Sequence, residues 1–216
     1  MSSQLYILTV NVNIGLQGGI DLPSAMSKLQ TLLCSYPDAT RCLHTYKVTG
    51  EAKVVAVFEV TNVIGLERMV SGIARVGNMD VTCKPIFPYR FFAEYLKVNG
   101  DVLLGKGENT LAGDKQGYWL EISVEYAGKS TSELLEIWSR EAVAALTARS
   151  SGGHIELWKS VMERKVHMFI AMDPVELDKL SFELPIMKEN GCNVNIQALA
   201  IHDLEDYCAR ISSDTM

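Results

Sequence analysis

Taken at alternate strand positions, the chain gathers ionisable and aromatic groups on one face. Trp119 and Glu121 fall together in "YWLEISV", Glu156 and Trp158 in "IELWKS", His167 and Phe169 in "KVHMFIA", and Asn195 and Gln197 in "VNIQAL". A carboxylate among apolar neighbours is poorly hydrated, which raises its proton affinity toward the range useful to a general base. Glu121 is therefore the candidate base, with His167 or His44 as its proton-transfer partner. Asn195 and Gln197 are candidate hydrogen-bond donors, and Trp119, Trp158 and Tyr46 candidate walls for a ring-bearing ligand. Each has a plainer reading: an ion pair of Glu121 with a lysine such as Lys84 or Lys159, a hydrogen-bonded wall histidine, and aromatic core fillers.

The elements that must position these groups come in two similar series. Shifted by 112 positions, "YILTVNV" from Tyr6 falls on "YWLEISV", and "HTYKVTGEAKVVAVFEV" from His44 falls on "ELWKSVMERKVHMFIAM", without a gap. Such self-similarity reads as an internal duplication. Each half reads βαββαβ, with strand alternation (Tyr6, Leu8, Val10, Val12), a helical period (Met26, Leu29, Leu33), two alternating runs, a second helical period (Leu66, Met69, Ile73) and a last strand. The expected domains are a first repeat at 1–99, a glycine-rich linker at 100–116 and a second repeat at 117–216. Ser130 with Glu133 and Asp173 with Glu176 fit capping boxes, and Gly152 and Gly191 fit helix ends. Pro185 should kink or shorten the last helix.

Right-handed crossovers place both helices of a βαββαβ unit on one face of an antiparallel sheet in order 4-1-3-2. Leu8, Val10, Leu43, Thr45, Val54 and Phe58, and in the second half Leu120, Leu157, Val166 and Met168, suit the helix side. The other faces, carrying Glu121, His167 and Trp158 in the second half and His44 and Tyr46 in the first, are expected to meet. The expected fold is thus α+β: two tandem ferredoxin-like units whose sheets pack into an α+β barrel, helices outside, around a ligand-binding lumen. Lys159 should follow the helix side with its amine snorkelling outward.

This plan resembles the ferredoxin-like dimeric α+β barrel superfamily. The segment from Glu156 to Leu199 is similar to the muconolactone isomerases, with Leu157, Trp158 and Lys159 matching a strand motif and Leu184 with Pro185 a helix motif. His44, Tyr46 and Lys47 match the same strand in the first half, although Glu156 stands where the family has histidine and Tyr46 where it has tryptophan. The resemblance implies isomerase or cyclase chemistry without a cofactor. Its superfamily also holds cofactor-free monooxygenases, haem-degrading enzymes, in whose haem-binding branch His167 would be an iron ligand, and proteins without activity, so fold does not fix chemistry.

Composition narrows the partners. The 216 residues carry a formal charge of −6 without a basic cluster, which argues against nucleic acid and anionic membranes. No apolar run reaches the roughly 18 residues of a membrane span, and the N-terminus lacks a signal-peptide pattern, so a cytoplasmic protein is expected. Five scattered cysteines without a C-x-x-C pair give neither a disulfide framework nor a zinc site, and read as small buried or incidental thiols. No motif calls for a metal or cofactor: "GKGENT" is not a P-loop and "GLQGG" is only a loop. The expected function is binding of a small, largely apolar carbonyl or aromatic compound in the lumen, with isomerisation or cyclisation by proton transfer. The alternative is a non-catalytic binding or assembly module, able to form a homodimer through exposed strand edges.

Overall fold

The computed structural model describes residues 3–13, 21–103, 111 and 115–213. The chain forms two compact units, Met1–Ile86 with Ile201–Met216, and Phe87–Ala200. Both series run strand, helix, strand, strand, helix, strand, and the paired strands are antiparallel. The α+β class and the βαββαβ order are as expected. Within the second unit Phe92 packs edge-on against Trp138 at 4.8 Å, and the segment Ile201–Met216 groups with the first unit. Of the expected linker, Gly100–Leu103 is helical, whereas "GKGENT", like "GLQGG", lies outside the described residues.

The first unit contains β1 (Gln4–Val12), α1 (Leu22–Leu33), β2 (Thr40–Val48), β3 (Lys53–Val60), α2 (Val63–Val76) and most of β4 (Met79–Pro88). Its strand order, β4-β1-β3-β2, is the one expected. Leu8, Val10, Val54, Ala56 and Phe58 pack on Met26, Leu29 and Leu33 of α1 and on Leu66, Met69 and Ile73 of α2, all nearly or fully sealed from solvent. Asp21 and Asn62 cap the two helices through side-chain oxygens, satisfying backbone N–H groups that have no partner within the helix. Close approach of α2 depends on Gly65, where a Cβ would sit 2.3 Å from that of Ala39. A bulge between Cys42 and His44 corrects one face assignment: Cys42, not Leu43, lies opposite Phe58 and packs in the helix-side core.

The second unit contains α3 (Tyr89–Tyr95), α4 (Gly100–Leu103), β5 (Gly117–Val124), α5 (Thr131–Ser150), β6 (Ile155–Ser160), β7 (Lys165–Ala171), α6 (Pro174–Glu183), α7 (Pro185–Asn190) and most of β8 (Val194–Asp203). Its strand order is β8-β5-β7-β6, and α8 (Leu204–Ser213) closes the chain in the first unit. Ser130 and Glu133 form the expected capping box on α5. Asp173 caps α6, but Glu176 turns to Lys179 at 2.6 Å instead of completing the box. Leu184 takes an extended conformation ahead of Pro185, so the expected last helix is two, α6 and α7. Gly152 adopts φ +91° after α5, whereas Gly191 stays right-handed and opens a 3₁₀ turn.

Candidate functional site

Strand register brings three of the sequence-selected residues into one row of the second unit. Glu121 pairs with His167 across β5 and β7, and His167 with Trp158 across β7 and β6. Glu121 Oε1 lies 3.5 Å from Lys165 Nζ and 3.7 Å from His167 Nδ1, so its ion-pair partner is Lys165, not Lys84 or Lys159. His167 is 3 % exposed. Its Nδ1 accepts from the Trp119 indole N–H at 3.4 Å, and its Nε2 meets Ser160 Oγ at 3.2 Å. The tautomer that satisfies both contacts carries its proton on Nε2, away from Glu121. Trp119 stacks beside His167 and Trp158 meets Phe169 edge-on, while Asn195 and Gln197 on β8 are exposed. The row is a packed aromatic wall with a paired carboxylate at its rim.

His44 and Tyr46 form their own pair in the first unit, with the phenol oxygen 3.4 Å from His44 Nδ1. Burial pushes the His44 imidazole down to about 4, so it is neutral over the ordinary range. Lys159 does not snorkel outward. It is buried, donates to the carbonyls of Ser160 and Glu163, and lies over the Phe92 and Trp138 rings. Lys47, its counterpart at the 112-residue shift, donates in the same way to Val48 and Glu51.

A cavity of the second unit lies on the opposite, helix-facing side of its sheet. It measures about 590 Å³ and opens between the strands and α5 and α6. Leu120, Ile122, Met168 and Ile170 form its sheet wall, Ala144, Ala145 and Ala148 its α5 wall, and Leu177 and Leu180 its α6 wall. It exists because α6 stands off the sheet: no residue of α6 is fully buried, whereas α2, at the corresponding place in the first unit, seals Leu66, Met69 and Ile73. The α5 alanines add room, being the smallest side chains that keep a helix intact.

One buried carboxylate belongs to this cavity. Glu141 of α5 is 8 % exposed, and its Oε2 accepts the Ile186 N–H at the start of α7 at 3.1 Å. Desolvation raises its carboxyl above the usual range, opposed in part by that hydrogen bond. Strand alternation offers no route to this residue, but helical spacing does: Glu141 falls on the apolar stripe Leu134, Ile137, Trp138, Ala142, Ala145. Asp178 and Glu183 at the outer edge are exposed, and the described lining contains no lysine, arginine or histidine.

That lining does not fit a haem. It offers no imidazole or thiol, and its Met168, Met172 and Tyr118 are accompanied by carboxylates, where the macrocycle's own carboxylates need cations. His167, which would be the iron ligand in the superfamily's haem-binding branch, is engaged by Trp119 and Ser160 on the other face. No group of three or more His, Cys, Asp or Glu able to hold a metal occurs among the described residues. Among the described residues the five cysteines form no disulfide: Cys34 and Cys192 are exposed, Cys208 is buried, and burial pushes the Cys42 thiol to about 12 and Cys83 to about 11. No described helix is long and apolar enough to cross a membrane.

No protein-family sequence profile matches the chain, and no curated protein matches it in sequence. Solved structures do match in fold. A mutant chlorite dismutase from Candidatus Nitrospira defluvii superposes with a TM-score of 0.64 at 11 % identity, covering 99 % of this chain and 98 % of its own. The chlorite dismutase of the same organism in complex with imidazole gives 0.62 at 11 % identity, covering 99 % and 97 %. A mutant in complex with cyanide gives the same score, identity and coverage. Chlorite dismutases belong to the ferredoxin-like α+β barrel superfamily, and at this identity the likeness is one of fold.

Proposed function

We propose that this chain binds a small, largely apolar molecule in the helix-side cavity of its second unit. The observation that carries the reading is the cavity of about 590 Å³, which lies within the usual range for small-molecule sites, has a mainly apolar lining and holds a single buried carboxylate. Binding of imidazole and of cyanide by chlorite dismutases of this fold supports a small ligand. The identical hairpin contacts of Lys47 and Lys159 support the reading of the two halves as tandem ferredoxin-like units.

Isomerisation or cyclisation by proton transfer is the second reading, favoured by the 3.7 Å approach of Glu121 to His167 and by the likeness of one segment to muconolactone isomerases. Binding without turnover ranks above it because Glu121 lies on the sheet face away from the cavity. The test is titration of the protein with the fluorescent probe 1-pyrenemethanol, comparing wild type with Ala145→Phe, which fills the α5 wall. Saturable binding to the wild type, weakened at least about tenfold in a folded variant, is expected from loss of a buried apolar contact surface. Equal affinity of the two proteins rejects the cavity as the site.

A further inference from the structure

The lining of the cavity also indicates the charge of its occupant. Glu141 lies at one end of an α5 face whose next residues at helical spacing, Ala144, Ala145 and Ala148, are all alanine, so the smallest side chains leave its carboxyl approachable. Of its two oxygens, Oε2 is held by the Ile186 N–H. No described residue is bonded to Oε1, and among the described residues no side-chain oxygen is both sealed off and without a partner. Oε1 therefore keeps accessible surface, and of the two spaces that Glu141 borders only the cavity of about 590 Å³ has room for a ligand, the other, beside Tyr89 and Trp138, being about 20 Å³. The residue is nine-tenths buried, borders an apolar volume, and has one carboxylate oxygen without a hydrogen bond from the described residues.

The other charges reinforce the same sign. Asp178 and Glu183 stand at the outer edge, and the lysine nearest in sequence, Lys179, is exposed and paired with Glu176. An anionic head group entering here would meet three carboxylates and, among the described lining residues, no cation. A protonated amine would meet a charge-assisted acceptor in a poorly hydrated site, where such bonds are strongest. Resting on the cavity being a binding site, we infer that it selects an apolar primary amine over the carboxylate built on the same apolar body, with Glu141 Oε1 receiving the ammonium N–H.

The test uses three probes that share one ring system: 1-pyrenemethylamine, 1-pyrenemethanol and 1-pyrenecarboxylate, titrated by fluorescence at pH 7 into wild type and Glu141→Gln. The amine is expected to bind at least about tenfold more tightly than the carboxylate to the wild type, the scale of one hydrogen bond to a charged group. In Glu141→Gln that preference should fall by about tenfold while the alcohol binds within about threefold of wild type. Glutamine keeps an acceptor for Ile186, so the variant retains the local fold, checked by an unchanged circular dichroism spectrum. Binding of the alcohol without preference for the amine, or a preference that survives Glu141→Gln, overturns the inference and leaves the binding reading standing. Failure of all three probes to bind removes the reading on which it rests, and the inference with it.

Discussion

Burying Glu141 gives the protein a pH signature at a single residue. Its carboxyl is raised in the folded chain, so the stability linked to it is full below the unfolded value near 4.5 and is lost as pH rises through the folded one. Glu141→Gln removes that loss. Its melting temperature should exceed that of wild type at pH 7, with the difference shrinking as pH falls toward 4.5, as thermal unfolding at several pH values would reveal. His44 runs the other way. Its imidazole is lowered from 6.5 to about 4 by burial, so the stability linked to it is present above 6.5 and is lost as pH falls through that window. His44→Gln should flatten the acid limb of the same stability profile between 6.5 and 4, and an unchanged limb would show that burial of His44 is not its cause. The two residues differ in legibility. His44 stands out by type, and its alternation put it on the correct face. Glu141 was legible only as a carboxylate on a helix stripe, a pattern that strand-centred reading of reactive residues passes over.

Hairpin locks and helix stand-off decide matters at the level of elements. Lys159 binds two carbonyls of the β6–β7 turn, and Lys47 does the same between β2 and β3. Lys159→Met keeps the apolar stem but strips the carbonyls of their donor, and should cost about 2 kcal/mol in denaturant unfolding, the scale of bonds to a charged donor. A cost below about 0.5 kcal/mol would mean that water replaces the amine. Gly65→Ala should destabilise α2 although alanine is the better helix former by up to about 1 kcal/mol, because its Cβ would overlap Ala39. A stabilised Gly65→Ala would show that α2 can move outward freely. Sequence periodicity located these helices and strands, and Pro185 correctly foretold the break between α6 and α7. The bulge after Cys42 was hidden because one extra residue leaves the alternation intact on either side of it. The stand-off of α6 was hidden too, since hydropathy marks which face is apolar but not how far away it sits.

For the whole chain, an identity of 11 % with structures of the same fold shows how little residue identity the architecture demands. What distinguishes this protein is how its units use that plan. The first unit fills its helix-side core with Leu, Met, Val and Phe, and the second leaves a volume beside alanines and a carboxylate. The sequence pointed to the strand face carrying Glu121, His167 and Trp158, where the structure places a hydrogen-bonded aromatic wall. The most direct measurement is therefore one that locates the ligand: amide hydrogen exchange with and without saturating 1-pyrenemethanol. Binding on the helix side predicts slowed exchange in α5 and α6, over 141–148 and 175–183, with the strand segments 119–121 and 167–169 unchanged. Slowing confined to those strand segments would contradict it and return the site to the face that the reactive residues first suggested.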